Sequence, residues 1–221
     1  MKKITTNIIV TILLFAALMV YGLCEKKEHK DLNSKDNPID NFYVALLPDE
    51  LLSNQLKLMS QSLDDSRYIL EVTCKEKMQY KFSCATQQVE VKKVFKGDNL
   101  QAGDNIDILK SDSIFLEIMD SPAINMAFVN EMTVGGTYLV FLDERIETYD
   151  ALNIYTRNKD YFLDPIFSYN NNRQGFHQCE DIETNSVLYS TVKTDEYFLM
   201  SQQAVDEITA FKETLFSKYP E

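Results

Sequence analysis

The sequence predicts a mainly β domain of the α+β class, with a short helix at its start and an amphipathic helix at its end. Three observations carry that expectation. Runs rich in β-branched and aromatic residues recur between Tyr68 and Met200, the densest being Thr137-Tyr138-Leu139-Val140-Phe141-Leu142, and such runs favour strands. Turn sequences punctuate them at Lys96-Gly97-Asp98-Asn99, Gly103-Asp104 and Gly135-Gly136, where glycine admits backbone angles closed to other residues. Both ends of the region switch from strand spacing to helical spacing.

The first element is that leading helix. Pro48-Asp49-Glu50 opens it with acids in the first turn, and Leu51, Leu52, Gln55, Leu56, Met59 and Leu63 recur at helical spacing. Asp64-Asp65-Ser66 ends it. Strands are expected at Tyr68–Cys74, across Phe82–Phe95, around Ile106–Leu109 and at Thr137–Leu142, the last as a central strand. Residues 110–132 are too apolar for an exposed loop and carry no clear period. Weaker strand signals lie at Asn153–Thr156 and Ile166–Tyr169, and Val187–Val192 and Tyr197–Met200 read as further strands. Asn170–Gly175 reads as a loop. Ser201 is a good cap for a final helix whose apolar stripe is Val205, Ile208, Phe211, Leu215 and Tyr219.

Ahead of this domain the chain starts Met1-Lys2-Lys3, continues with an apolar run from Ile8 to Cys24, and leaves it through Glu25-Lys26-Lys27-Glu28-His29-Lys30-Asp31. A positive start, an apolar middle and a polar exit make a secretory signal or membrane anchor. Cys24 at the end of the run is similar to the lipidated cysteine of bacterial lipoproteins, although Leu23 stands where a lipobox has a small residue. Lipidation at Cys24, an uncleaved single-span anchor and plain cleavage all remain open. The expected division is signal or anchor over 1–24, flexible tether over 25–41 and one domain over 42–221. The expected place is the outer face of the cell membrane, with secretion as the alternative.

The 221 residues carry a net charge of −12, and leaving out Lys2 and Lys3 takes it to −14. That balance opposes nucleic-acid binding and adhesion to anionic lipid. An envelope protein or another cell-envelope component is the expected partner, with membrane contact through the N-terminal segment only. Of the four cysteines, Cys24 belongs to the export segment. Cys74 and Cys84 flank a candidate hairpin and are candidates for a disulfide in an oxidising compartment. Cys179 is then left over.

Residues 89–142 carry a further pattern. Val89-Glu90-Val91-Lys92-Lys93-Val94-Phe95-Lys96-Gly97-Asp98 is followed by Gly103-Asp104-Asn105-Ile106-Asp107-Ile108, then by Gly135-Gly136-Thr137-Tyr138-Leu139-Val140-Phe141-Leu142. This resembles exported bacterial domains of the tissue-inhibitor-of-metalloproteinases/netrin-like family. The resemblance implies an OB-like Greek-key β-barrel. It does not imply protease inhibition, because the zinc-chelating Cys-x-Cys start of the animal inhibitors is absent: Glu25-Lys26 follows Cys24, and function belongs to sites rather than folds.

The chemical candidates are few. His177 and Cys179, two apart on an extended segment, would share a face. Glu180, Asp181 and Glu183 follow, without the spacing of a calcium loop. Tyr169 with Asn170–Asn172 is a candidate aromatic binding loop. No catalytic set, cofactor or metal is indicated. The expected function is that of a membrane-tethered extracytoplasmic binding protein; the alternatives are a secreted protease inhibitor by fold analogy, or an enzyme without a recognisable motif.

Overall fold

The computed structural model describes residues 14–21, 32–33, 38–81, 84–111, 115–118, 121–147, 153–170, 174–179 and 185–221. Ile39–Glu221 forms one compact unit. Residues 14–21, outside it, are helical. No helix among the described residues is long and apolar enough to cross a membrane; most of the apolar run, including Cys24, lies outside them, as do His29 and the acids Glu180, Asp181 and Glu183.

A short 3-10 turn at Pro38–Asn41 leads into β1 (Tyr43–Ala45) and α1 (Asp49–Ser62), followed by a 3-10 turn at Leu63–Asp65. Helix α1 buries Leu52, Gln55, Leu56 and Met59 of the stripe its spacing predicted, whereas Leu51 is exposed. Then come β2 (Tyr68–Cys74), β3 (Gln79–Lys81), the long β4 (Cys84–Lys96) and β5 (Asn105–Ser111). The unassigned stretch 110–132 contains a hairpin, β6 (Phe115–Ile118) with β7 (Ser121–Ile124). Strands β8 (Thr137–Leu142), β9 (Glu144–Glu147), β10 (Asn153–Thr156), β11 (Ile166–Ser168) and β12 (Ser186–Leu188) follow. The chain ends in α2 (Tyr189–Val192) and α3 (Gln202–Lys218).

The strands form two sheets. The larger runs β11-β8-β2-β4-β5-β10-β9 with β3 added to β4; the smaller runs β12-β1-β7-β6. The class is thus α+β and mostly sheet, and neither sheet is closed into a barrel. In the larger sheet β2, β4 and β5 are antiparallel neighbours, β8 returns to the free side of β2, and β10 lies parallel to β5. Strand β8, expected to be central, is an interior strand second from the edge, between β11 and β2, with Leu139, Val140, Phe141 and Leu142 buried. Gly97, at φ 133°, turns the end of β4 back beside Tyr68; a Cβ there would lie 2.6 Å from the Tyr68 ring.

Two expectations change in the second half. Val187–Val192 is not one strand: it divides into β12 and the single turn of α2. Tyr197–Met200 is extended but forms only the isolated bridges Val129↔Tyr197 and Leu47↔Leu199. Both segments are apolar because they are buried between other elements, and burial selects the same residues whether or not a ladder forms.

Ser201 caps α3, its hydroxyl accepting from the Ala204 N–H at 3.0 Å. The helix buries Ala204, Ile208 and Leu215. Ser201→Ala should cost about 1 kcal/mol, read as a lower urea midpoint at unchanged slope. The helix end is pinned from the far side of the sequence. Asp64 accepts a hydrogen bond from the Tyr219 hydroxyl at 2.6 Å and pairs with Lys218, so it does more than end α1. Tyr169 is also part of this joint. Its hydroxyl donates to Tyr219 O at 2.7 Å and its ring lies 4.5 Å from that of Phe216.

Candidate functional site

The site with the most convergent polar groups is a cleft of about 470 Å³ at the loop between β7 and β8. One wall is Asn130–Val134 and the other Lys193–Glu196, with Lys77, Tyr138 and Ile166 completing it. The first wall begins at a tight turn. Asn125 accepts from the Ala127 N–H through its side chain at 3.0 Å. Ala127 and Phe128 then take φ of 49° and 59°, a left-handed pair that costs non-glycine residues about 1–2 kcal/mol each. The turn aligns 128–130 with 196–198: Phe198 N donates to Phe128 O at 3.0 Å, and Asn130 N to Glu196 O at 2.9 Å.

Two buried amides fix this geometry. Gln87, on β4, accepts from Met132 N at 2.9 Å and donates to Met132 O at 2.7 Å. Asn130 donates to Lys193 O at 3.0 Å and Asp195 O at 2.8 Å, and accepts from Glu131 N and the Tyr189 hydroxyl, each at 2.8 Å. Gln87 ties the first wall to the large sheet, and Asn130 ties it to the second wall. Both walls are therefore held before any ligand arrives.

The electrostatics are set by burial. Burial pushes the Glu131 carboxyl up. It also pushes Glu196 up, against the opposing pull of Lys212, with which Glu196 pairs. Glu196 accepts from Ser168 N at 2.6 Å as well. Asp195 pairs with the His177 ring at 2.5 Å, and Lys193 with Asp40 at 3.2 Å. Exposed Lys77 and Val134 stand on the rim. The cleft can thus offer a partner a charged rim and a small apolar contact on a stiff frame.

The sequence candidates fare unevenly. His177 is engaged by Asp195, while Cys179 lies 3.7 Å from the Asn185 side-chain oxygen; the described geometry places the two in different contacts. Cys74 stands opposite Val89 in the β2–β4 ladder, while Cys84 pairs with Lys81 in the next hairpin. Five positions along a strand is about 16 Å, whereas a disulfide needs Cα atoms within about 7 Å, so the ladder does not bring these two sulfurs together. Cys74 is instead buried and donates to Glu76 O at 3.2 Å, and burial pushes its thiol up to about 11. In a variant with serine at the other three cysteine positions, Cys74 should react with an aromatic disulfide reagent only as fast as the domain unfolds. Rapid labelling under native conditions would contradict this placement.

Sequence reasoning missed Gln87, Lys110, Asn130, Asp164 and Glu196. A signal was available for two of them: Lys110 and Asn130 are polar residues at the edges of an apolar stretch, and a polar group buried there must find partners. No group of three potential metal ligands is present among the described residues. No protein-family model matches the chain, and no curated protein matches it.

Proposed function

We propose that this protein is a membrane-tethered, extracytoplasmic binding protein whose partner docks at the cleft between Asn130–Val134 and Lys193–Glu196. The observation that carries the reading is the double clamp of Gln87 and Asn130. A frame held in advance lowers the ordering cost of association, which is how a modest cleft reaches useful affinity. The apolar run before the domain supports a tether, and the net charge favours a basic or neutral partner over nucleic acid.

The same proposal includes an OB-type frame. The spatial order β8-β2-β4-β5 is that of a Greek key, in which the fourth strand returns beside the first. Strands β8 and β9 are separated by Asp143 alone, and β9 pairs with β10 at the other end of the sheet. Counted from β8, whose other side carries β11, the path of hydrogen bonds ends on the continuation of β8, an arrangement compatible with a partly open five-stranded barrel. This supports the resemblance to tissue-inhibitor/netrin-like domains for fold and leaves its inhibitory function aside.

The test is crosslinking on intact cells followed by purification. The reading expects one envelope protein enriched over an unrelated tethered control, and its loss from the double variant Lys77→Glu, Val134→Asp. It also expects the domain to be digested by protease added outside the cells. Equal recovery from the variant, or protection until the cells are opened, would overturn it.

A further inference from the structure

Among the described residues of Ile39–Glu221, the exposed large apolar side chains are Leu51, Leu58, Val134, Phe162 and Phe176. Three of them fall in one place. Leu51 and Leu58 lie two helical turns apart on α1, so they share a flank. Gln55 lies between them, buried, and accepts a hydrogen bond from Phe162 N at 3.3 Å. Ser62, one turn beyond Leu58, shares a hydrogen bond of 2.8 Å with the Tyr161 hydroxyl. The chain at 161–162 therefore runs along this flank of α1, and Phe162 joins the two leucines. Leu51 is 45% exposed, Leu58 39% and Phe162 38%. The Phe162 ring meets that of Phe128 edge-on at 6.1 Å. Both line a cavity of about 320 Å³ to which Val44 and Ala45 of β1 also contribute. Exposed Asn54 and Gln61 border the leucines on their solvent side. An apolar patch with a polar rim marks a surface that something covers.

Its place in the chain selects the occupant. Ala45 is six residues from Ile39, where the domain begins, at most about 20 Å of chain. In the tether reading, residues 25–38 alone separate the domain from the apolar run that ends at Cys24. An unstructured chain of that length spans about 20 Å on average, close to the radius of gyration of about 16 Å for a domain of this size. The bilayer is thus the surface that this end of the domain meets most often. The net charge of −12 opposes the pairing of two copies and adhesion to anionic lipid. A contact made by leucine and phenylalanine needs neither.

We propose that Leu51, Leu58 and Phe162 insert into the interfacial layer of the bilayer to which the chain is tethered. The lipid surface they fit is zwitterionic. Leucine and phenylalanine enter at the boundary of headgroups and acyl chains, and the amides of Asn54 and Gln61 stay at headgroup level. This is a second membrane contact, beyond the N-terminal segment, and it limits how the domain turns on its tether. It rests on the tether of the proposed function and not on the docking cleft.

The chain has no tryptophan, so a single one introduced by substitution is a clean reporter. Phe162→Trp and, for comparison, Val134→Trp on the cleft rim are made in the full-length chain and assembled into phosphatidylcholine nanodiscs. Lipid brominated near the glycerol end of its acyl chains is the quencher. Phe162→Trp is expected to emit at shorter wavelength and to be quenched at least threefold more than Val134→Trp, equally at low and high salt. Adding Leu51→Ser and Leu58→Ser should halve that quenching without lowering the melting temperature, because both leucines are exposed. Quenching no greater than for Val134→Trp, in a chain that stays with the discs, overturns the proposal and leaves the tether standing. Loss of the chain from the discs overturns both. A shortened wavelength without quenching, with two copies per disc joined by a crosslinker, would assign the patch to a second copy and overturn the proposal.

Discussion

Lys110→Ala is expected to remove about 3–5 kcal/mol of stability, the usual cost of stranding one member of a buried ion pair. Lys110 and Asp164 have side chains 1% and 2% exposed. Alanine would leave the Asp164 carboxylate with Arg157 alone, and would strip Val129 O and Asn130 O of their donor. The pair does not have to be a net gain over an apolar one, because two charges were first taken out of water. The double variant Lys110→Met, Asp164→Leu separates these points. It should recover most of the loss, since it strands no buried charge and the freed Arg157, 22% exposed, can turn to water. Urea unfolding of the parent and both variants decides it. A single variant within 1 kcal/mol of the parent would mean that water reaches Asp164 and that the pair is not buried in solution.

Asn130→Ala is the second large effect, at about 3 kcal/mol. Four hydrogen bonds of 2.8–3.0 Å are lost together, and a buried group left unsatisfied costs about 1–3 kcal/mol. The consequence is local as well as global. Asn130 is the side chain that joins the two walls, so partner binding should fall further than stability alone explains. Asn130→Asp discriminates shape from donation. It keeps the volume and an acceptor for Glu131 N, but turns a carboxylate toward the Lys193 and Asp195 carbonyls. At neutral pH it should be at least as damaging as alanine. If Asn130→Asp were neutral, the wall-to-wall tie would be carried by the Phe128–Phe198 and Asn130–Glu196 backbone bonds instead.

A smaller effect concerns acid. Glu90 is held down to about 2 by hydrogen bonds from Lys75 and Lys92, aided by their charges. A carboxyl lowered in the folded state contributes stability that is fully present above its ordinary value and is lost as pH falls toward about 2. The side chain is partly open to solvent, as are both lysines, so salt should weaken the contribution. Carbon-detected NMR titration should place Glu90 well below the other exposed carboxyls. Lys75→Ala should raise it, and a Glu90 that already titrates with the others would contradict the pairing.

The parts of the fold legible in the sequence are those whose signal is local. Strand β8 is six consecutive strand formers, β2 is nearly as dense, and α1 and α3 repeat apolar residues at helical spacing with a cap on the second. The small sheet was illegible because its evidence is non-local. Strand β1 has three residues and owes its place to Leu188 and Ala123, which pair with Tyr43 from far along the chain. The candidate site was hidden for a related reason. Gln87 sits at a polar-looking position of a half-exposed strand, and nothing in its neighbours announces that Met132 will come to lie against it. Conversely, His177 and Cys179 drew notice because they are rare and close in sequence, yet Asp195 and Asn185 were the contacts that formed. The Cys74–Cys84 hairpin illustrates register: β2 pairs with β4 from Val89 onward, and β3 occupies the stretch of β4 that begins at Cys84.

The measurement that tests the binding account most directly is photo-crosslinking in intact cells from a single position on the cleft rim. Val134 is 50% exposed and stands beside the Gln87 and Asn130 clamps. Ala102, exposed on the turn between β4 and β5, serves as the control at the other end of β4. The account predicts a discrete adduct with one envelope protein from position 134, none from 102, and loss of the adduct in Asn130→Ala. Adducts of equal yield from both positions, or an adduct at 134 unchanged by Asn130→Ala, would contradict it.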